Sequence, residues 1–306
     1  MARHLMVRLG LGAISVLGVI VLTFILTYVI PGDPARQLAP RAPSAAVLES
    51  IRVQLHLDRP LVLQFGAYVG GLLRGDLGMS YVQREEVSTL IMQRLPATIM
   101  LALAGVLCEM VLGSAIGIVS ALRTTVRRAA YGLNLVLLST TYFVLGLGLL
   151  LLFGFRLGWA PVTGGLGLPQ LVLPALTLGL IGLPWYAQIA QDAMKDSLSS
   201  PYVRTAMSKG LSDRRIVTRH VLRNVASPII TMIGLDLGVY LSGVVIVETV
   251  FGWPGIGQLA VDSLGNLDRP VVMGTVIVGT IAVVAFNILA DVVRWYVDPR
   301  TRSEPS

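Results

Sequence analysis

Residues 202–224 read YVRTAMSKGLSDRRIVTRHVLRN, a polar and strongly basic insert between two segments apolar enough to cross a membrane. Upstream, Ser199, Ser200 and Pro201 supply an N-cap and a proline at the first helical position, where a missing N–H costs nothing. A short helix is therefore expected to start near Tyr202. Val203, Ala206, Met207 and Gly210 recur at helical spacing, giving it one narrow apolar stripe, with Arg204, Ser208 and Lys209 off it. Gly210 then supplies a left-handed stop. Ser212 is placed to cap a second helix that carries Arg214, Arg215, Arg219 and Arg223, with Ile216, Val217, Val221 and Leu222 as its apolar side. The product is a helix–glycine–helix elbow. It reads either as a cytoplasmic loop made basic by the membrane or as a docking element for a cytoplasmic partner.

The flanks fix the solvent in which the chain folds. Charged residues are 13% of 306 and mean hydropathy is +0.75, whereas a soluble domain is roughly a quarter charged. Six stretches, 9–30, 96–122, 131–153, 171–191, 228–250 and 271–293, are long and apolar enough to cross ~30 Å of hydrocarbon as helices of ~20 residues. No backbone group goes unpaired in lipid, so the fold class is an all-α integral membrane protein with six transmembrane helices. The first span is too long for a secretory signal, and Pro31-Gly32-Asp33-Pro34 follows it instead of a small-residue cleavage site, so it reads as retained. The single cysteine, Cys108, excludes an intrachain disulfide and a cysteine-based metal site.

Net charge is +7, and its distribution matters more than its sum. With the N-terminus inward, that side carries Arg3, Arg8, Arg123, Arg127, Arg128, the basic insert, Arg294, Arg300 and Arg302, while the two short loops opposite carry only Arg156 and Arg269. Both termini are therefore cytoplasmic. The basicity is topology, not nucleic-acid binding.

The organisation expected is a cytoplasmic N-terminus and first helix over 1–30, an external segment over 31–95, and a five-helix core over 96–306 with a cytoplasmic loop at 192–227. Pro31-Gly32-Asp33-Pro34 is a turn. Amphipathic pieces at 46–57 and 61–73 should lie on the outer face, either sealing span one or forming a platform for an external partner. Glu109 inside span two and Asp236 inside span five are costly at membrane depth. Each reads either as a buried hydrogen-bond partner or as part of a substrate path. Gly113 and Gly117 form a face for close helix approach. Glu248-Thr249-Val250-Phe251-Gly252-Trp253-Pro254-Gly255-Ile256-Gly257 is a helix end followed by a glycine- and proline-fixed turn that shapes the outer mouth.

Arg204-Thr205-Ala206, followed by Lys209-Gly210 between two spans, resembles the EAA loop of ABC importer permeases in the RTA-x-x-KG form of the peptide-importer family. PGDPA, QLHLDRPLVLQF, LRGDLGMS, RLPAT, LGWAPVTG, LPALTLG, ETVFGWPGIG and DPR follow in the order seen in the first permease of dipeptide, oligopeptide, nickel and glutathione importers. The chain departs from that pattern at His56, where relatives have glycine, and at Gln188 and Gln191, where they have arginines. At Thr141-Tyr142 it lacks the family's proline, so the helix break which the resemblance implies there is not expected.

The resemblance implies a type I ABC importer permease fold in the bacterial or archaeal cell membrane (inner membrane). It also implies a second homologous permease, two cytoplasmic ABC ATPase subunits and an external substrate-binding protein. ATP and magnesium are used by the partner ATPases, and no cofactor is bound by this chain. Arg204, Thr205, Ala206, Lys209, Gly210, Ser212 and Arg219 are the implied ATPase-coupling residues, Glu248, Trp253, Pro254 and Gly255 the outer mouth, and Glu109 and Asp236 the candidate substrate path.

The chain has no G-x-x-x-x-G-K-[ST] phosphate loop, no H-E-x-x-H and no G-x-S-x-G, and His4, His56 and His220 lie far apart. It therefore reads as a non-catalytic membrane subunit of an ATP-driven importer of peptides, with dipeptides, longer peptides, glutathione and nickel chelates all open as cargo. An ion-gradient transporter using Glu109 and Asp236 is the alternative reading, and a non-transporting scaffold a third.

Overall fold

The computed structural model describes residues 2–29, 33–39, 44–54, 57–159, 161, 165–241 and 244–297. Helix follows helix: α1 Ala2–Val29, α2 Pro34–Leu38, α3 Ala45–Gln54, α4 Leu61–Leu72, α5 Val87–Leu122 and α6 Thr124–Leu138. Next come α7 Tyr142–Leu149, continued by a π-helical stretch Leu150–Arg156, then α8 Leu168–Ser199 and α9 Pro201–Ser208. The series ends with α10 Asp213–Ile216, which runs through π-helical Val217–Val221 into α11 Leu222–Leu241, then α12 Val245–Phe251, α13 Ile256–Gly265 and α14 Arg269–Val297.

Five continuous spans, Met6–Thr27, Val87–Leu122, Leu168–Ser199, Arg214–Leu241 and Arg269–Leu289, are long and apolar enough to cross a membrane; α6 and α7 with its π-helical extension, bent by 104°, form the sixth. The all-α, six-span expectation holds, with two corrections. Span three is broken at Ser139–Thr141 instead of continuous. There the Ser139 and Thr140 hydroxyls donate back to the Leu135 and Val136 carbonyls, each at 2.8 Å, and the Thr141 hydroxyl accepts from Val144 N–H at 3.4 Å to cap α7. Hydroxyl chemistry ends one helix and starts the next without proline. The fifth span stops at Leu241 instead of reaching 250, and Val245–Phe251 is a separate helix. The turn at Pro31-Gly32, His56, the centre of the 160–164 loop and Asp298-Pro299-Arg300 lie outside the described residues.

The chain divides into two compact units. The first comprises Met1–Thr98, Leu241–Thr249 and Trp253–Val284. Its core gathers Val87, Leu90 and Ile91 of α5 with Ile256, Leu259 and Val271. Phe24 of α1 meets Phe65 of α4 edge-on at 5.0 Å, so the expected amphipathic helix at 61–73 covers span one. Asp33 pairs with Arg52 of α3 at 2.6 Å. Ser80 in the LRGDLGMS string donates to Asp268 at 2.5 Å, and the same carboxylate accepts from Tyr81 N–H at 3.0 Å and Val82 N–H at 3.3 Å, pinning that loop to the start of α14.

The second unit comprises Ile99–Tyr240, Val250–Gly252 and Ala285–Ser306. Within it α5 and α8 lie backbone to backbone. A Cβ on Gly113 would come within 2.7 Å of the Leu183 carbonyl, and one on Gly117 would overlap the Ala187 carbonyl. The expected small-residue face is thus the contact between these two spans.

Candidate functional site

The elbow belongs to the second unit, where α9 begins at Pro201 after Ser200 in extended backbone. Ser200 occupies the cap position, but its hydroxyl donates to the Ser197 carbonyl at 2.5 Å instead of receiving an α9 amide. The reason is local: α8 ends at Ser199, and its last carbonyls need donors. Helix α9 closes with Leu211 N–H on the Ala206 carbonyl at 3.3 Å and Gly210 N–H on the Met207 carbonyl at 2.9 Å, a Schellman pair around Gly210 at φ 74°. A Cβ on Gly210 would meet nothing within 4 Å, so only backbone handedness demands glycine there.

Of the expected stripe, Val203 and Ala206 are buried and Met207 is exposed. Val203 and Ala206 join Ile216, Val221, Val225 and the α8 residues Tyr186, Ala190 and Met194 in one core cluster. Ile216 and Val221 stand five apart yet share this core because the π-helical stretch between them resets the helical phase. Asn224 donates to the Tyr202 hydroxyl at 2.7 Å and ties the two arms together. Arg204, Lys209, Arg214, Arg215, Arg219 and Arg223 are exposed, and among the described residues no ion pair engages them. Thr205 and Ser212 are exposed beside them. The elbow is rooted by its apolar side and presents a cationic face.

Two spanning acids meet in the same unit. Glu109 of α5, only 1% exposed, accepts from the Tyr240 hydroxyl at 3.0 Å. Asp236, one helical turn before Tyr240 on α11, accepts from the Tyr186 hydroxyl of α8 at 2.7 Å. Glu109 and Asp236 are thus each tied to a tyrosine hydroxyl, while Oε1 of Glu109 has no hydrogen-bond partner among the described residues. Sequence reading singled out the acids and missed the tyrosines, although the four-residue spacing of Asp236 and Tyr240 puts them on one face.

Of the ETVFGWPGIG string, Glu248, Trp253, Pro254 and Gly255 belong to the first unit. Glu248 of α12 is fully buried; its carboxylate accepts from the Thr98 hydroxyl at 2.8 Å and from Gln258 N–H, in the first turn of α13, at 2.9 Å. Thr98 in turn accepts from Ile256 N–H at 2.8 Å. Buried Trp253 donates its indole N–H to the Ala97 carbonyl at 2.9 Å. Any side chain on Gly255 would collide with the Glu248 carboxylate. RLPAT and ETVFGWPGIG are therefore two halves of one hydrogen-bonded corner, with Glu248 capping a helix to which it does not belong.

A family model for the inner membrane component of binding-protein-dependent transport systems matches residues 113–303, and one for the N-terminal part of such components matches residues 1–102. The glutathione transport system permease protein GsiC of Salmonella typhi is 36% identical over 305 residues, covering 99% of each chain. Its counterpart from Pectobacterium atrosepticum is 37% identical over 290 residues, covering 94% of this chain and 95% of that one. Among solved structures, an inward-facing conformation of the MetNI methionine ABC transporter superposes with a TM-score of 0.52 at 16% identity, covering 69% of this chain and 97% of that one. At that identity the likeness concerns the fold. None of these matches favours the ion-gradient alternative.

Proposed function

The chain belongs to the inner membrane components of binding-protein-dependent transport systems, and from that premise we propose that it forms, with a second homologous permease, the path along which small peptides of the glutathione class enter the cell. It is a multi-pass inner-membrane permease subunit of an ABC importer. ATP hydrolysis falls to two cytoplasmic ATPase subunits, and an external binding protein delivers the cargo. The chain itself binds no nucleotide and catalyses no reaction.

The observation that carries this reading is the two-sided elbow, rooted through Val203, Ala206, Ile216 and Val221 and cationic outside. Arg204, Thr205, Lys209, Ser212 and Arg219 face an acidic groove of an ATPase subunit. Ala206 serves by anchoring α9, because it is buried. Gly210 fixes the elbow angle. Closure of the ATPase pair on ATP draws the elbows of the two permeases together, and the helices rooted to them open the path outward; hydrolysis resets it inward. Glu248, Trp253, Pro254 and Gly255 hold the outer mouth in shape.

Gly210→Val tests the coupling. A β-branched residue at φ 74° costs about 1–2 kcal/mol locally, too little to prevent insertion. Membrane insertion should be intact and substrate-stimulated ATP hydrolysis in the assembled complex abolished; wild-type stimulation overturns the assignment.

A further inference from the structure

In the second unit the C-terminal end of α5, residues 127–138 of α6 and the middle of α8 line an open-sided cavity of about 670 Å³. Its wall is graded along α6. Arg127 and Arg128 stand at the end nearest the helix start, and both are exposed. Tyr131, Leu135 and Leu138 then form an exposed apolar stripe at helical spacing leading away from them. The wall holds two arginines against one acid, Asp192, which itself pairs with Lys195 at 3.3 Å. Two lining residues carry a buried oxygen without a partner among the described residues, Oγ of Ser120, a residue only 4% exposed, and Oδ1 of Asn134; being buried, these atoms are closed to a ligand in the cavity.

A ligand that satisfies this wall needs an anion for the arginines and a hydrocarbon chain for the stripe. A free phosphate ion meets only the first demand. A soluble peptide leaves the stripe in contact with water. A glycerophospholipid with an anionic phosphodiester and acyl chains meets both. The arginine-rich side of the chain is the cytoplasmic one, where basic pockets between spanning helices recognise anionic headgroups.

We propose that this cavity binds an anionic glycerophospholipid of the inner leaflet, of the phosphatidylglycerol or cardiolipin class. Its phosphodiester sits against Arg127 and Arg128 and one acyl chain along Tyr131, Leu135 and Leu138. The site fastens the cytoplasmic ends of α5, α6 and α8 to the leaflet surface.

The test uses the chain purified in mild detergent with the subunits that accompany it, titrated with phosphatidylglycerol and read by native mass spectrometry. Arg127→Gln with Arg128→Gln should weaken retention about thirtyfold, from the contribution of two cations near a headgroup. Arg123→Gln, on the same helix end but outside the cavity, should leave retention unchanged. Leu135→Asn should weaken it through the acyl stripe alone. Equal losses for Arg123→Gln and the double variant, or no loss for the double variant, would overturn the proposal. So would displacement of the lipid by inorganic phosphate, which would make this a phosphate site, or by glutathione, which would make it part of the cargo path. Because the readout is lipid retention, it stands or falls independently of the transport assignment.

Discussion

Tyr186 donates its hydroxyl to Asp236 at 2.7 Å while its ring packs into the cluster that roots Val203 and Ala206 of the elbow. One side chain thus joins the buried acids of the spanning helices to the base of the cationic loop. Tyr186→Phe keeps the ring in that core and leaves Asp236 without its hydroxyl donor. Stability should fall by about 1–3 kcal/mol, the loss of a hydrogen bond to a part-buried carboxyl group, seen as a lower melting temperature in detergent. If the contact also transmits motion, the ratio of substrate transported to ATP hydrolysed should fall in the assembled importer. An unchanged ratio would confine Tyr186 to a structural role.

Glu109→Gln separates the two readings of the buried acids. Glutamine retains an acceptor for the Tyr240 hydroxyl, which lies 3.0 Å from Glu109. ATP-driven uptake in proteoliposomes should therefore stay near wild type, with no dependence on an imposed proton gradient. Loss of uptake with intact assembly would return the acids to the substrate path.

The corner of the first unit turns on one hydroxyl. Thr98 donates to Glu248 and accepts from Ile256 N–H, both at 2.8 Å. Thr98→Val removes both bonds and leaves a buried carboxylate and a buried amide each short of a partner, so destabilisation of about 2–3 kcal/mol is expected. Thr98→Ser keeps the hydroxyl and should recover most of it. Thermal unfolding of the two variants side by side decides the point, and equal losses would assign the effect to the missing methyl group.

Apolar runs disclose spans because a membrane helix needs little beyond length and hydropathy, and the elbow's boundaries followed from Pro201 and Gly210. The break in span three was not legible: a Ser-Thr-Thr sequence is compatible with a continuous helix, and only the outcome of hydroxyl competition for backbone groups ends it. The tyrosines around Glu109 and Asp236 were hidden for another reason. Their partners come from three helices, and nothing local in any of them specifies the meeting. The cavity beside Arg127 and Arg128 likewise combines α5, α6 and α8.

Thr141 offers a direct check on that break. It sits at φ −87°, ψ 156°, extended backbone that a proline tolerates with little adjustment. Thr141→Pro loses the hydroxyl cap, but the ring's restriction of the unfolded chain offsets that loss, so stability and uptake should stay near wild type. Thr141→Leu removes the cap and favours helix continuation, costing about 0.5–2 kcal/mol. Near-identical melting temperatures for the leucine variant and wild type would show that packing around the bend, and not the cap, sets it.

Glycine substitutions distinguish packed from unpacked faces of the spanning helices. Gly117→Ala drives a methyl group into the Ala187 carbonyl, a backbone atom that moves only if α5 and α8 separate. Overpacking of that kind costs about 1–3 kcal/mol, and here it also prises apart the wall of the lipid cavity, which Gly117 and Ala187 both line. Gly132→Ala places the same methyl group where nothing lies within 4 Å. It should be neutral or stabilise by up to about 1 kcal/mol through helix propensity. The pair is measured by thermal unfolding together with phosphatidylglycerol retention. Gly117→Ala should lower both and Gly132→Ala neither; a Gly117→Ala protein of wild-type stability would mean that the two spans do not meet through this face.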